Sequence, residues 1–291
     1  MKKNNNLFSL LQDRYSEMSK GQKQITDYIL DNYDKYVFKT AASMGEAAGV
    51  SESTVVRFAY FLGFDGYPDL LNALKEMARK KLTNVQRMNL TSSLQKQDVL
   101  DTVLTSDMNN IRDTIENIDH QAFLNVADKL NKIRTLYIIG MRSSTPLSQF
   151  LGYYLTFILH DVRIINSSGT NSFEQMINIS DQDACIAISF PRYCVQTLEA
   201  LRVANGRGAY CVAITDTINS PLAKFADECL SATSDMASFV DSLVAPMSVI
   251  NALIVALSLN SSNNDITNRL DELEKIFNAN QVYHDEHNIE E

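Results

Sequence analysis

Four short apolar runs, at residues 136–139, 162–165, 184–189 and 209–214, recur through the second half of this chain, and each gives way to polar residues and then to a helical stretch. Runs this short and this apolar predict strands. Strands alternating with helices predict βαβ units and a parallel sheet covered on both faces. A weaker fifth strand is expected near 229–232. The fold expected for this half is therefore α/β, a doubly wound, five-stranded, mostly parallel sheet flanked by helices. Ligands of such sheets bind beyond the carboxyl ends of the strands, at a topological switch point. The loops of interest begin at Gly140, Asn166, Ser189 and Thr215.

Ahead of the sheet the texture differs. The 291 residues give length for about two domains at roughly 100 to 200 residues each. Residues 1–82 carry only helical signals and predict a compact all-α unit. Residues 83–97, rich in Thr, Asn, Ser and Gln, read as a linker. The sheet domain is expected over 98–280, opening with helices at about 98–118 and 119–132, and an acidic tail, 281–291, is expected to be disordered. Charge divides along the same line: residues 1–83 hold 12 Lys and Arg against 10 Asp and Glu, and the remainder 14 against 25. Nonspecific affinity for nucleic acid comes from cations at phosphates, so the N-terminal unit is the part suited to such a partner.

Within that unit the most informative stretch runs from Gly49 to Phe58. The small residues 40–48 form a helix with Ala41, Met44 and Ala48 on one stripe, and Gly49 stops it. Ser51 is a good N-cap for a second helix from about Glu52 to Leu62, with Val55, Val56, Ala59 and Leu62 as its apolar face. Ser53, Thr54 and Arg57 are left facing outward. In a helix-turn-helix the first turn of the second helix enters the major groove, where short hydroxyls and one long cation meet base edges and phosphates. Ser51, Ser53, Thr54 and Arg57, with Lys20 and Lys23 from the preceding helix, are the candidate DNA contacts. That preceding helix opens on Ser19 and Gln22 in capping-box spacing and should bury Ile25, Tyr28, Ile29 and Tyr33. A turn at 63–68 leads to a further helix from about Asp69 to Lys81.

In the sheet domain, the first strand-to-helix loop reads Gly140-Met141-Arg142-Ser143-Ser144. Hydroxyls at a helix N-terminus, with its free N–H groups and positive dipole end, form an anion site, although Ser143 or Ser144 would also serve simply as an N-cap. The loop after the third strand offers Ser189, Arg192, Tyr193 and Thr197, and the loop after the second offers Asn166, Ser167, Ser168 and Thr170. Together they outline a cationic crevice in an acidic domain. The alternative is that Arg142 and Arg192 pair with acidic neighbours across a subunit interface.

These residues resemble the RpiR family of bacterial transcriptional regulators, with an N-terminal helix-turn-helix and a C-terminal SIS (sugar isomerase) domain that senses a phosphosugar. The resemblance runs over roughly residues 7–260, and 50–66 is its most specific part. It implies a ligand loop of the form G-x-G-x-S and a later one of the form S-x-S-G-x-T. This chain keeps Gly140, Ser144 and Ser189, but has Arg142 and Arg192 where the family has glycines, Pro191 for a serine and Cys194 for a threonine. Two hydroxyls are lost and two guanidinium groups gained, which can grip phosphate or carboxylate in bidentate fashion. The ligand expected is a small anionic metabolite, a sugar phosphate or a related phosphate or carboxylate compound.

Two functions follow. The first is a regulator whose homodimer or homotetramer places paired recognition helices roughly 34 Å apart on a pseudo-palindromic operator in double-stranded DNA. The second is a phosphosugar isomerase with an accessory helical domain. An isomerase needs a base, and His120, His160, His284 and His287 lie in helices or in the tail. Glu174 and Asp241 could approach the crevice, but read better as a surface or ligand-orienting residue and an N-cap. No catalytic residue is assigned, and neither a cofactor nor a metal is expected. The cysteines Cys185, Cys194, Cys211 and Cys229 form no CxxC pair and read as reduced packing residues of a cytoplasmic protein. The N-terminus lacks a signal-peptide pattern. The apolar run at 243–259, with Met247 and Ile250, is broken by polar residues and reads as a core helix or a subunit contact in preference to a membrane span.

Overall fold

The computed structural model describes residues 7–31, 40–81, 88, 95–165, 172–236, 240–260 and 263–282. Most of the polar stretch at 83–97, the loop with Asn166 to Thr170, Tyr33, and the tail with His284 and His287 lie outside them. The chain forms two compact units, Met1–Ser106 with Met236–Asp241, and Asp107–Asp235 with Ser242–Glu291. The division falls at Ser106, several residues beyond the polar stretch and inside a helix.

The first unit holds α1 (Leu7–Asp13), α2 (Lys20–Asp31), α3 (Ala41–Ala48), α4 (Glu52–Phe61) and α5 (Tyr67–Lys81). Its core gathers Leu11, Ile25, Ile29, Met44, Val55, Phe58, Leu70 and Leu74, one stripe from each helix. The capping box at the start of α2 is made: the Ser19 N–H donates to Gln22 Oε1 at 2.8 Å and the Gln22 N–H to Ser19 Oγ at 3.4 Å. Thr26, not Tyr28, completes the buried side of α2, its hydroxyl turned to the Met18 sulfur at 3.1 Å. Helix α5 starts two residues earlier than Asp69, because Pro68 fits a first helical turn, where its missing N–H has no acceptor to satisfy.

The second unit runs α6 (Val99–Asn117, its first residues in the other unit), α7 (His120–Leu130), β1 (Leu136–Ile139), α8 (Thr145–Ile158), β2 (Val162–Ile165), α9 (Ser172–Gln175), β3 (Ala184–Ile188), α10 (Val195–Gly206), β4 (Tyr210–Thr215), β5 (Glu228–Ser231), α11 (Val244–Asn260) and α12 (Asn263–Ala279). All strand pairings are parallel, in the order β2-β1-β3-β4-β5. From β1 the chain passes to β2 on one side and then returns to β3 on the other, so the switch point lies between the carboxyl ends of β1 and β3. One face buries Ile138, Ile186 and Val212 under α7, α8 and α11, and the other buries Ile139, Cys185 and Cys211 under α10. Burial pushes the Cys185 and Cys211 thiols up, that of Cys211 to about 12, so both stay protonated.

Two details revise the sequence reading. Asp241 does not cap the long apolar helix: α11 starts at Val244, whose N–H reaches Ser242 Oγ at 3.4 Å. Of the two residues singled out on that helix, Ile250 is buried in the core and Met247 is half-buried against it. No helix of the described residues is long and apolar enough to cross a membrane.

The amino ends of the strands are tied by Asp183, whose side chain is fully buried and accepts from Arg134 Nε at 2.9 Å, Arg134 Nη2 at 2.7 Å and the Ser180 N–H at 2.8 Å. Burial pushes this carboxyl up, but Arg134 and Ser180 outweigh it and hold it below the usual range. A carboxyl lowered in the folded state stabilises above its unfolded pKa, and that stability is lost as pH falls through the folded value. Asp183→Ala should therefore cost about 2–3 kcal/mol at pH 7, with Arg134 half-exposed and still able to hydrate. The deficit should shrink toward pH 3, as urea denaturation at the two pH values would report.

Candidate DNA-reading helix and ligand crevice

The turn between α3 and α4 is built by close approach. Gly49 adopts φ +71°, its N–H donates to the Glu46 carbonyl at 3.3 Å, and the Val50 N–H donates to the Gly45 carbonyl at 2.8 Å. Gly45 is the residue that sequence reasoning passed over. A Cβ there would stand 2.8 Å from the Val50 carbonyl oxygen, so a glycine inside α3 lets the chain double back onto it. Its signal was available as a glycine in mid-helix, which usually marks backbone packing.

Ser51 caps α4, accepting from the Thr54 N–H at 3.3 Å, and its Oγ lies 3.0 Å from Ser53 Oγ and 2.8 Å from Thr54 Oγ1. The buried face of α4 is Val55, Phe58 and Ala59, with Leu62 just beyond; Phe58 takes the central place expected of Val56, which is half-buried. Thr54 is half-buried too, since its methyl stands 3.2 Å from where a Cβ on Gly21 of α2 would lie. That leaves Ser51, Ser53 and Arg57 exposed. Arg57 Nε donates to the Ser53 carbonyl at 3.2 Å, directing the guanidinium toward the amino end of α4. Lys20 is exposed on the first turn of α2, whereas Lys23 is half-buried with Nζ 5.3 Å from the centre of the Tyr15 ring.

At the switch point the loops after β1 and β3 lie side by side, because Ile139 pairs in register with Ala187. A Cβ on Gly140 would meet the Ser144 carbonyl oxygen at 2.7 Å, so glycine permits the sharp turn from β1 into the loop. Ser144 stands at the N-cap of α8 without a side-chain capping bond, and Cys194 stands likewise at α10. In contrast, Thr40, Ser51 and Asp119 cap their helices through side-chain oxygens. Neither helix that starts at the switch point has a side-chain cap, and a single 3-10 turn, Arg142–Ser144, runs into α8, so that the Thr145 N–H donates to the Arg142 carbonyl and Pro146 has no N–H to offer.

Arg142 and Ser143 are exposed on the first loop and Arg192 on the second. Both arginines hold left-handed backbone, at φ +58° and +67°, a conformation that costs an ordinary side chain roughly 1–2 kcal/mol. The other predicted residues are more occupied. Ser189 is buried and its Oγ accepts from the Cys194 N–H at 3.1 Å. The Tyr193 hydroxyl donates to Asp216 at 2.8 Å, and the Thr215 hydroxyl lies 3.2 Å from the same oxygen. Asp216 was missed, although an acid directly behind an apolar run, at a strand's carboxyl end, was the signal for it. Thr197 faces inward with Ala200 and Leu201 on α10, fully buried, and its hydroxyl has no hydrogen-bond partner among the described residues. Glu174 is exposed on α9.

Two family models match the chain. Residues 5–81, covering the five N-terminal helices, match the helix-turn-helix domain of the rpiR family, and residues 129–256, covering the sheet and its helices through most of α11, match the SIS domain. The chain belongs to the RpiR family. Its RpiR-type helix-turn-helix and SIS domain make it a DNA-binding transcriptional regulator. Similar proteins include an uncharacterized HTH-type transcriptional regulator of Clostridium perfringens, 25% identical over 217 residues that cover 74% of this chain and 77% of the relative. One of Haemophilus influenzae is 27% identical over 234 residues, 78% of this chain and 80% of the relative. The Vibrio vulnificus NanR protein, solved in complex with ManNAc-6P, shares the fold at TM-score 0.57 and 21% identity, over 93% of this chain and 97% of that one. The sugar isomerase domain of an RpiR transcription factor from Sphaerobacter thermophilus does so at TM-score 0.58 and 24% identity, over 61% of this chain and 99% of that domain.

Proposed function

We propose that residues 1–82 read operator DNA, that 98–280 sense an anionic metabolite of the sugar-phosphate kind, and that the two events are thermodynamically linked. The observation that carries this reading is the pairing of an outward Ser53 and Arg57 on a capped second helix with two helix N-termini without side-chain caps at the sheet's switch point. On α4, Ser53 and Arg57 meet base edges and phosphates, Ser51 caps the helix, and Lys20 adds a phosphate contact. Thr54 and Lys23 hold the unit in shape. In the crevice Arg142, Ser143 and Arg192 face the anion, with Gly140 shaping the loop and the buried Ser144, with Ser189, Tyr193 and Thr197, in support. A regulator of this kind acts in the cytoplasm, where bacterial DNA lies. It is read as performing no chemistry: Asp216, an acid directly after β4, is engaged by two hydroxyls, and an isomerase would have no use for Arg57 on an exposed helix.

A ligand changes DNA affinity only as far as it prefers one arrangement over another. Fluorescence anisotropy of a labelled promoter fragment, with and without a panel of phosphorylated sugars, tests this. A regulator shows a shifted isotherm with at least one of them, and an isomerase shows turnover with no salt-dependent DNA binding.

Reading paired half-sites requires two copies of the chain, and α6 supports their association. Its polar residues turn inward: Asn110 Nδ2 donates to the Asp235 carbonyl at 3.0 Å, Thr114 Oγ1 accepts from the Thr233 N–H at 2.9 Å, and Ser242 donates to Asp107 at 2.6 Å. Its apolar residues turn outward, with Leu104, Met108 and Ile115 at 54%, 58% and 64% exposure and Ile111 between them. This 4-3-4 spacing is a heptad seam, suited to pairing with the same helix of a second copy. Met108→Glu combined with Ile115→Glu should turn a dimer into a monomer in analytical ultracentrifugation without loss of helix signal. A dimer that survives the double substitution would rule out this contact.

A further inference from the structure

We propose that Asn110 and Thr114 of α6 are positioning residues that carry the ligand signal from the crevice to the N-terminal unit. The inference rests on the reading of the chain as a ligand-responsive regulator, and names the device within it. The chain crosses between its two units three times, between Ser106 and Asp107, between Asp235 and Met236, and between Asp241 and Ser242. The first crossing lies inside α6. Hydrogen bonds within the second unit fasten the other two crossings to the same helix. Asn110 Nδ2 donates to the Asp235 carbonyl at 3.0 Å, the Asp235 N–H donates back to Asn110 Oδ1 at 3.2 Å, and Ser242 Oγ donates to Asp107 at 2.6 Å.

The side chains on α6 suit a signal better than they suit plain packing. This helix buries two side chains, Asn110 and Thr114, and both are polar. A side-chain amide offers donor and acceptor side by side, as a peptide group does, so Asn110 grips both backbone groups of one residue. Thr114 Oγ1 accepts from the Thr233 N–H at 2.9 Å and donates to the Asn110 carbonyl at 2.7 Å. Directional bonds of this kind hold one register, where apolar contacts would let the helix slide. The gripped segment is tied in turn to the crevice. The Ala232 N–H donates to the Thr215 carbonyl at 2.8 Å, and the Thr215 hydroxyl lies 3.2 Å from the Asp216 oxygen that accepts from Tyr193. A chain of bonds thus runs from the loop after β3, through the carboxyl end of β4 and residues 232–235, into α6. Met236, next after Asp235, packs against the core of the N-terminal unit. A ligand that shifts the end of β4 must move α6 and Met236 with it or break these bonds.

The test compares the full chain with Thr114→Val, Asn110→Ala and Thr114→Ser. DNA affinity is read by anisotropy with and without glucose 6-phosphate, 6-phosphogluconate or fructose 1,6-bisphosphate, and probe affinity by calorimetric titration. In the wild type at least one saturating probe should change DNA affinity by about 5- to 150-fold, the range of a typical coupling. Thr114→Val and Asn110→Ala should still bind DNA and probe, with the coupling brought below about twofold. Thr114→Ser keeps the hydroxyl and should keep the coupling. If Asn110→Ala does not fold, Thr114→Val, which exchanges a hydroxyl for a methyl, decides alone. Wild-type coupling in the valine and alanine variants, or a loss that Thr114→Ser shares, would overturn the inference and leave the regulator standing. A wild type whose DNA affinity no probe changes would overturn the ligand-responsive reading itself, and the inference with it.

Discussion

Arg57→Ala weakens binding of the full chain to operator DNA by about ten- to a hundredfold, the loss expected for one base-edge or phosphate arginine worth roughly 1–3 kcal/mol. The effect should come with an unchanged fold. Arg57 is exposed, and its one hydrogen bond, from Nε to the Ser53 carbonyl within the same helix, orients the side chain without holding any other element. A phosphate-only role and a base-reading role separate in the same titration. In the first, affinity falls alike on operator and unrelated duplex and the salt slope drops by about one; in the second, operator affinity falls more. Ser53→Ala should follow in the same direction with a smaller loss, and Lys23→Ala should change little, since its charge already rests over the Tyr15 ring.

The second large effect belongs to Gly140. Valine there drives a branched side chain into the Ser144 carbonyl, 2.7 Å from the Cβ position, and into Ser148 at 3.1 Å. Backbone cannot rotate aside as a side-chain tip can, so the loop carrying Arg142 and Ser144 must move. Overpacking of this kind costs about 1–3 kcal/mol, and more where it deforms backbone. Gly140→Val should lower the melting temperature of the chain and abolish its response to anionic ligands, while DNA binding by the N-terminal unit persists. Thermal melting with and without ligand, beside an anisotropy titration, reads both. Retention of ligand response would mean that the β1 loop is not part of the pocket.

Much of this molecule was legible before its structure. The strands were found because a sheet buried on both faces leaves an unbroken apolar signal, as at 136–139 and 184–188. The turn at Gly49 was found because capping chemistry is local: a glycine stop and a serine N-cap two residues apart fix one helix end and the next start. What escaped were consequences of packing between elements distant in sequence. Phe58 is different, a local signal passed over: with Val55, Ala59 and Leu62 it completes the i, i+3, i+4, i+7 face of α4, and Val56 stands beside that face. Thr54 is claimed by Gly21 on α2, thirty-three residues away, and Tyr193 by Asp216 on the next loop but one. No local pattern announces such partners. The left-handed backbone of Arg142 and Arg192 was foreshadowed only by the family's glycines at those positions, since arginine by itself signals nothing about φ.

The central claim is that one chain couples an anion crevice to a DNA-reading helix. Its most direct test is the anisotropy titration of a labelled promoter fragment by the purified full chain, run at several concentrations of the best-binding phosphorylated ligand. By linkage, the factor by which saturating ligand changes DNA affinity must equal the factor by which DNA changes ligand affinity, about 5- to 150-fold for a typical coupling of 1–3 kcal/mol. The account predicts such a reciprocal shift, absent in Gly140→Val and retained, at weaker DNA affinity, in Arg57→Ala. DNA isotherms that superimpose at every ligand concentration, from a protein that binds both partners, would contradict it.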